Sequence, residues 1–158
     1  MKVKVIFLDF DGVLNQMHYG GWVNDQRNYY YNGLNFNPLN CNKLEHIIKN
    51  TGAKIVVSSY WRTNFTIEEL AEHLQKAGVE SADVIGKTPD LETSRSTWCR
   101  GDEVQQWLDE NDEYEIEKYI IIDDLYHFLM SQGQYLIKTV SGIGLTLDLA
   151  KEAIVKLS

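Results

Sequence analysis

Two cysteines in 158 residues are too few for a disulfide framework. Cys41 and Cys99 therefore read as free thiols, which points to a reducing compartment, the cytoplasm. The chain has only two prolines, Pro38 and Pro89, which excludes a proline-rich linker or recognition tract. No apolar run approaches the roughly 20 residues needed to cross a bilayer, so no membrane association is expected. The first apolar stretch, 5–8, follows Lys2 and Lys4 and stops at Asp9, too short for a signal peptide. Positive charge is also scarce: 15 Lys and Arg stand against 23 Asp and Glu, a net charge of −8. Extended nucleic-acid binding is disfavoured, because it depends on Lys and Arg displacing counterions. A local phosphate pocket built from a metal ion and one or two cations remains open.

What is present suggests one α/β domain. Residues 5–8 form a continuous apolar run, as a fully buried strand requires. Residues 55–57 and 119–122 repeat that pattern. Shorter strands are expected at 83–85 and 135–140. Asn37-Pro38 places an N-cap before a proline at the first helical position. Leu39, Leu44, Ile47 and Ile48 then give that helix an apolar face, and Gly52 closes it. Thr66 and Glu69 have the spacing of a capping box for a second helix. Helices are also expected over 101–110, with Val104, Trp107 and Leu108 inward, and over 147–157 behind Thr146. Buried strands alternating with amphipathic helices indicate a mostly parallel sheet of about five strands with right-handed crossovers. The expected fold is a single Rossmann-like domain over 1–158. Segment 16–36 interrupts the alternation: Gly20-Gly21, and Asn32-Gly33 between apolar residues, predict a small β-hairpin flap.

Three of these strands end in groups able to do chemistry: Asp9 and Asp11, Ser58 and Ser59, Asp123 and Asp124. In an open parallel sheet such ends converge at one edge, where ligands bind. Close carboxylates repel unless a cation or a shared proton offsets them.

The run Asp9-Phe10-Asp11-Gly12-Val13-Leu14, with Ser58 at a strand end and the later pair Asp123-Asp124, resembles the haloacid-dehalogenase-like (HAD) phosphohydrolase superfamily. Ser58-Ser59-Tyr60-Trp61-Arg62 with Arg100-Gly101 is similar to a compact HAD subgroup of RNA-repair proteins and to the phosphatase module of polynucleotide kinase-phosphatases. The resemblance implies a phosphomonoesterase in which Asp9 is the nucleophile and Asp11 the general acid and base. It implies Mg²⁺ held by Asp9, Asp123 and Asp124 side chains and the Asp11 backbone carbonyl. Ser58, rather than Ser59, would hydrogen-bond a phosphate oxygen, although Ser59 also belongs to the substrate-binding set.

The third family motif usually supplies a lysine. Here Arg100 is best placed, with Lys87 its rival, and arginine can clamp phosphate through two parallel bonds. Arg62 is the first further substrate contact to consider and Arg95 the second; a surface ion pair is the alternative for each. The four histidines lack metal-ligand spacing, and Trp61, Trp98 and Trp107 read as packing residues. The expected partner is a phosphorylated substrate, either a small molecule or a nucleic-acid end. A non-catalytic phosphate- or nucleotide-binding module of the same fold is the competing reading. Oligomeric state is not legible.

Overall fold

The computed structural model describes residues 2–18, 21–22, 29–31 and 34–158. Strand β1 (Lys2–Leu8) lies at the centre of a five-stranded sheet. It is flanked by β6 (Lys54–Val57) and β7 (Val84–Lys87) on one side, and by β8 (Glu115–Asp123) and β9 (Leu136–Lys138) on the other. Every pairing in this sheet is parallel. The sheet order reverses between β1 and β8, the point at which open α/β sheets take ligands at their carboxyl ends.

Both faces of the sheet are covered, which explains why the central strands are apolar without interruption. Ile6 and Leu8 join Leu44, Ile47, Leu70, Leu74, Ala150 and Leu157 in one core, beneath α1 (Pro38–Thr51), α2 (Ile67–Lys76) and α4 (Leu147–Leu157). The alternate residues Val5 and Phe7 face a smaller core with Val104 and Trp107 of α3 (Arg100–Glu110). Phe7 sits edge-on to Trp107, with ring centroids 5.5 Å apart.

The helix ends follow local chemistry. Asn37 accepts from the Leu39 N–H and Thr66 from the Glu69 N–H. Thr146 accepts from the Leu149 N–H, and Gly52 closes α1 in the left-handed region at φ 68°. Leu39 departs from expectation. It is 52% exposed, because its place in the first turn of α1 turns it away from the core that Leu44, Ile47 and Ile48 enter. The predicted strand 135–140 shrinks to β9, and a 3-10 turn (Met130–Tyr135) precedes it. The chain reverses at Val140, which accepts from the N–H groups of Ile143 and Gly144. That reversal carries Ser141 back to the sheet edge.

Within segment 16–36 the described residues form two antiparallel pairs: β2 (Met17–His18) with β3 (Gly21–Trp22), and β4 (Tyr29–Tyr31) with β5 (Leu34–Phe36). Gly20 and the Asn32-Gly33 turn fall outside the described residues.

Glu45 ties α1 to the loop before β7 by accepting from the Ser81 N–H at 3.0 Å and the Ser81 hydroxyl at 2.8 Å. Burial pushes its carboxyl up, but the Ser81 bonds and Lys49 outweigh this and hold it below the usual range. The resulting stabilisation is present above the unfolded pKa of roughly 4.3 and fades as pH falls through the lower folded value. Glu45→Ala is expected to cost about 1 kcal/mol at pH 7 and much less at pH 3. Urea unfolding at the two pH values measures this, and an unchanged gap would remove the role assigned to Glu45.

Candidate active site

The carboxyl ends of β1 and β8 bring Asp9 and Asp123 side by side, since Leu8 pairs with Ile122 and the Asp9 N–H donates to the Ile122 carbonyl at 3.0 Å. Asp124 follows. One carboxylate oxygen from each of Asp9, Asp123 and Asp124 lies within 4.8 Å of the others. Gly12 makes this approach possible. Its φ is 78°, and a Cβ there would sit 2.3 Å from Asp124 Oδ2. Asp124 is further held by the Ser141 hydroxyl at 2.7 Å, and Asp123 by the Leu125 N–H at 2.9 Å.

Arg100, the first residue of α3, reaches into this acidic cluster. Its Nη1 lies 2.6 Å from Asp123 Oδ2 and 3.2 Å from Asp9 Oδ1. Burial weakens its positive charge, but the two aspartates more than offset that and hold it firmly protonated. The start of α3 is fixed by a buried amide that the sequence did not single out: Gln132 donates to the Gly101 carbonyl and accepts from the Leu129 N–H. A Cβ on Gly101 would strike Gln132 Oε1 at 2.4 Å. Burial, followed by Asp123, pushes Asp9 well above the usual carboxylate range, and Arg100 only partly counteracts them. Asp123 is pushed up to about 6, chiefly by burial.

Asp11 stands apart from the three clustered carboxylates. Its Oδ2 accepts from the Trp61 indole N–H and its Oδ1 from the Asn15 amide, both at 2.9 Å. Trp61 is therefore more than a packing residue. Trp61 carried no sequence signal for this contact, because the Asp11–Trp61 pair spans 50 positions.

Ser58 follows β6 beside β1, its N–H donating to the Leu8 carbonyl at 2.9 Å. Its buried hydroxyl has no hydrogen-bond partner among the described residues. Ser59 differs: its hydroxyl accepts from the Trp61 N–H and caps the 3-10 turn Tyr60–Thr63, which ties it to local structure rather than to a ligand.

Arg62 is a correction. It lies inside the protein, with all five guanidinium N–H groups engaged. Nε donates to the Thr88 carbonyl, Nη1 to the carbonyls of Ser58 and Ser59, and Nη2 to the Pro89 carbonyl and Glu103. No donor remains for a phosphate. Lys87 donates to the carbonyls of Arg62 and Phe65 and so braces the same turn; among the described residues Arg100 is the cation paired with the aspartates. Arg95 is exposed and lines a surface cleft with Asp102, Gln105 and Asp109, outside the cluster.

The protein-family model for the HAD domain in Swiss Army Knife RNA repair proteins matches residues 5–150. The chain belongs to that family. Membership implies a phosphohydrolase-type function for this HAD domain. No curated protein and no solved structure matches it. Among the described residues no helix is long and apolar enough to cross a membrane.

HAD domains generally use Mg²⁺, and the residues here fit it. Three hard oxygen donors converge, as Mg²⁺ prefers. Arg100 offsets one of three negative charges, and a divalent cation would offset the other two. An orphaned hydroxyl, Ser58 Oγ, stands on the neighbouring strand end.

Two outcomes are expected. Because Asp123 titrates near 6 when folded, above its unfolded value of roughly 3.9, its contribution to stability is complete below that lower value. It is lost as pH rises through 6. Mg²⁺ should restore that loss, so its thermal shift should be larger at pH 7.5 than at pH 5, where protons compete with the ion. Equal shifts would exclude these carboxylates as ligands. Arg62→Ala strands a buried Glu103 and should cost about 3–5 kcal/mol in urea unfolding. A normal unfolding midpoint with a raised KM would instead make Arg62 a substrate contact.

Proposed function

We propose that the domain is a Mg²⁺-dependent phosphomonoester hydrolase working through an aspartyl-phosphate. The observation that carries this reading is the convergence of Asp9, Asp123, Asp124 and Arg100 at the switch point of the sheet. Bound Mg²⁺ would offset carboxylate–phosphate repulsion and stabilise charge on the transferring phosphoryl group. The Asp9 carboxylate attacks phosphorus, forming an acyl phosphate as the ester P–O bond breaks. Asp11 in its acid form gives the leaving oxygen a proton. Asp11 then takes a proton from a water whose oxygen attacks the same phosphorus, which releases phosphate and regenerates Asp9. Arg100 and the Ser58 hydroxyl hold phosphoryl oxygens during both transfers.

The small described insertion supports a bulky substrate. Between β1 and α1 the described insertions are two strand pairs of two and three residues per strand, little to enclose a small metabolite. A bulky phosphoester such as a nucleic-acid end suits an open site, recognised locally because the net charge of −8 disfavours extended contact. The free thiols Cys41 and Cys99 suit the cytoplasm.

Asp9→Asn should abolish Mg²⁺-dependent hydrolysis of p-nitrophenyl phosphate while leaving the fold intact. Retained turnover would rule out the covalent mechanism. A 3′- or 5′-phosphorylated oligonucleotide should be cleaved with a higher kcat/KM than the matching mononucleotide, and equal values would remove the nucleic-acid end as substrate.

A further inference from the structure

The hydrogen bonds that Asn15 and Trp61 donate to Asp11 have a meaning beyond packing. Asn15 is buried, and its amide can face only one way: its Oδ1 accepts from the Gly12 N–H at 2.8 Å, so its Nδ2 must point to Asp11. Trp61 approaches from the other side of the carboxyl group. Its ring is seated against Phe65, with centroids 6.4 Å apart. The turn that carries Trp61 is fastened by the capped Ser59 hydroxyl, the Arg62 guanidinium and the Lys87 ammonium. The support on both sides is rigid: one donor comes from the loop after β1 and one from the loop after β6, each fixed by its own bonds.

A carboxyl group held at both oxygens has little freedom about χ1 and χ2. It is also not one of the three acids whose oxygens gather within 4.8 Å of one another, Asp9, Asp123 and Asp124. Metal ligation and proton transfer are thereby given to different carboxylates. We infer that Trp61 is a positioning residue, its indole N–H holding the Asp11 carboxyl in place for proton transfer to the leaving oxygen, with Asn15 as the second hold. The inference rests on the phosphomonoesterase reading above and adds to it the group that aims the acid.

The test compares kcat/KM for p-nitrophenyl phosphate and phenyl phosphate, two substrates of similar shape. Nitrophenolate leaves readily without a proton, whereas phenolate needs one. Trp61→Phe keeps an aromatic ring against Phe65 and removes the N–H. It should lower kcat/KM for phenyl phosphate by about 10-fold, a fraction of what a general acid supplies, and that for p-nitrophenyl phosphate far less. Mg²⁺ affinity measured by calorimetry should not change. Asp11→Asn is the reference. If its own loss does not depend on the leaving group, the acid assignment falls and this inference with it. If Asp11→Asn is graded but Trp61→Phe harms both substrates equally, harms neither, or weakens Mg²⁺ binding, the positioning role alone is overturned.

Discussion

Arg100 lies between Asp9 and Asp123, and much of the molecule is arranged around that contact. Buried carboxylates this close are costly unless paired, because burial and mutual repulsion both favour the neutral forms. One guanidinium leaves the balance incomplete, as the raised Asp9 and Asp123 carboxyls show. A site left short of positive charge in this way is suited to a divalent cation and to a phosphate that arrives with it. The stability given up at this edge has to come from elsewhere, chiefly from the two apolar cores that cover the sheet.

The rest of the fold holds the parts of that cluster to a fixed geometry. Parallel pairing of β1 with β8 places the aspartates, and Gly12 lets Asp124 approach. The Gln132 amide fixes the start of α3, and with it Arg100. A second buried ion pair, Arg62 with Glu103 at 2.9 Å, joins the turn after β6 to α3 and to the loop around Pro89. The protein therefore has two ion-paired arginines with different tasks, Arg100 partly buried and Arg62 fully so. Arg100 retains proximity to the aspartates, whereas Arg62 spends every donor on the scaffold.

The strand positions, the helix caps and the acidic strand ends were legible because each depends on residues near one another in the chain. Asn37, Thr66 and Thr146 cap as their neighbours dictate, and the apolar runs at β1, β6 and β8 can only be buried strands. Arg62 was not legible. A lone arginine after a strand end reads equally well as a phosphate contact, and its acceptors lie up to 41 positions away. Trp61 was read as packing for the same reason, since nothing local announces a bond to Asp11. The end of β9 moved because a turn at Val140, closed by Gly144, outweighs the β-propensity of the residues before it.

The sequence by itself determined the class of fold, the set of acids and the position of the ligand-binding edge. Hydrophobic periodicity and motif spacing are properties of contiguous residues, and both survive without coordinates. Only the tertiary structure decided which polar side chains face the site and which are consumed in holding it. That choice depends on hydrogen bonds between distant segments: Arg62 to Glu103, Trp61 to Asp11 and Gln132 to Gly101. The chain order contains the partners of such bonds but not their directions.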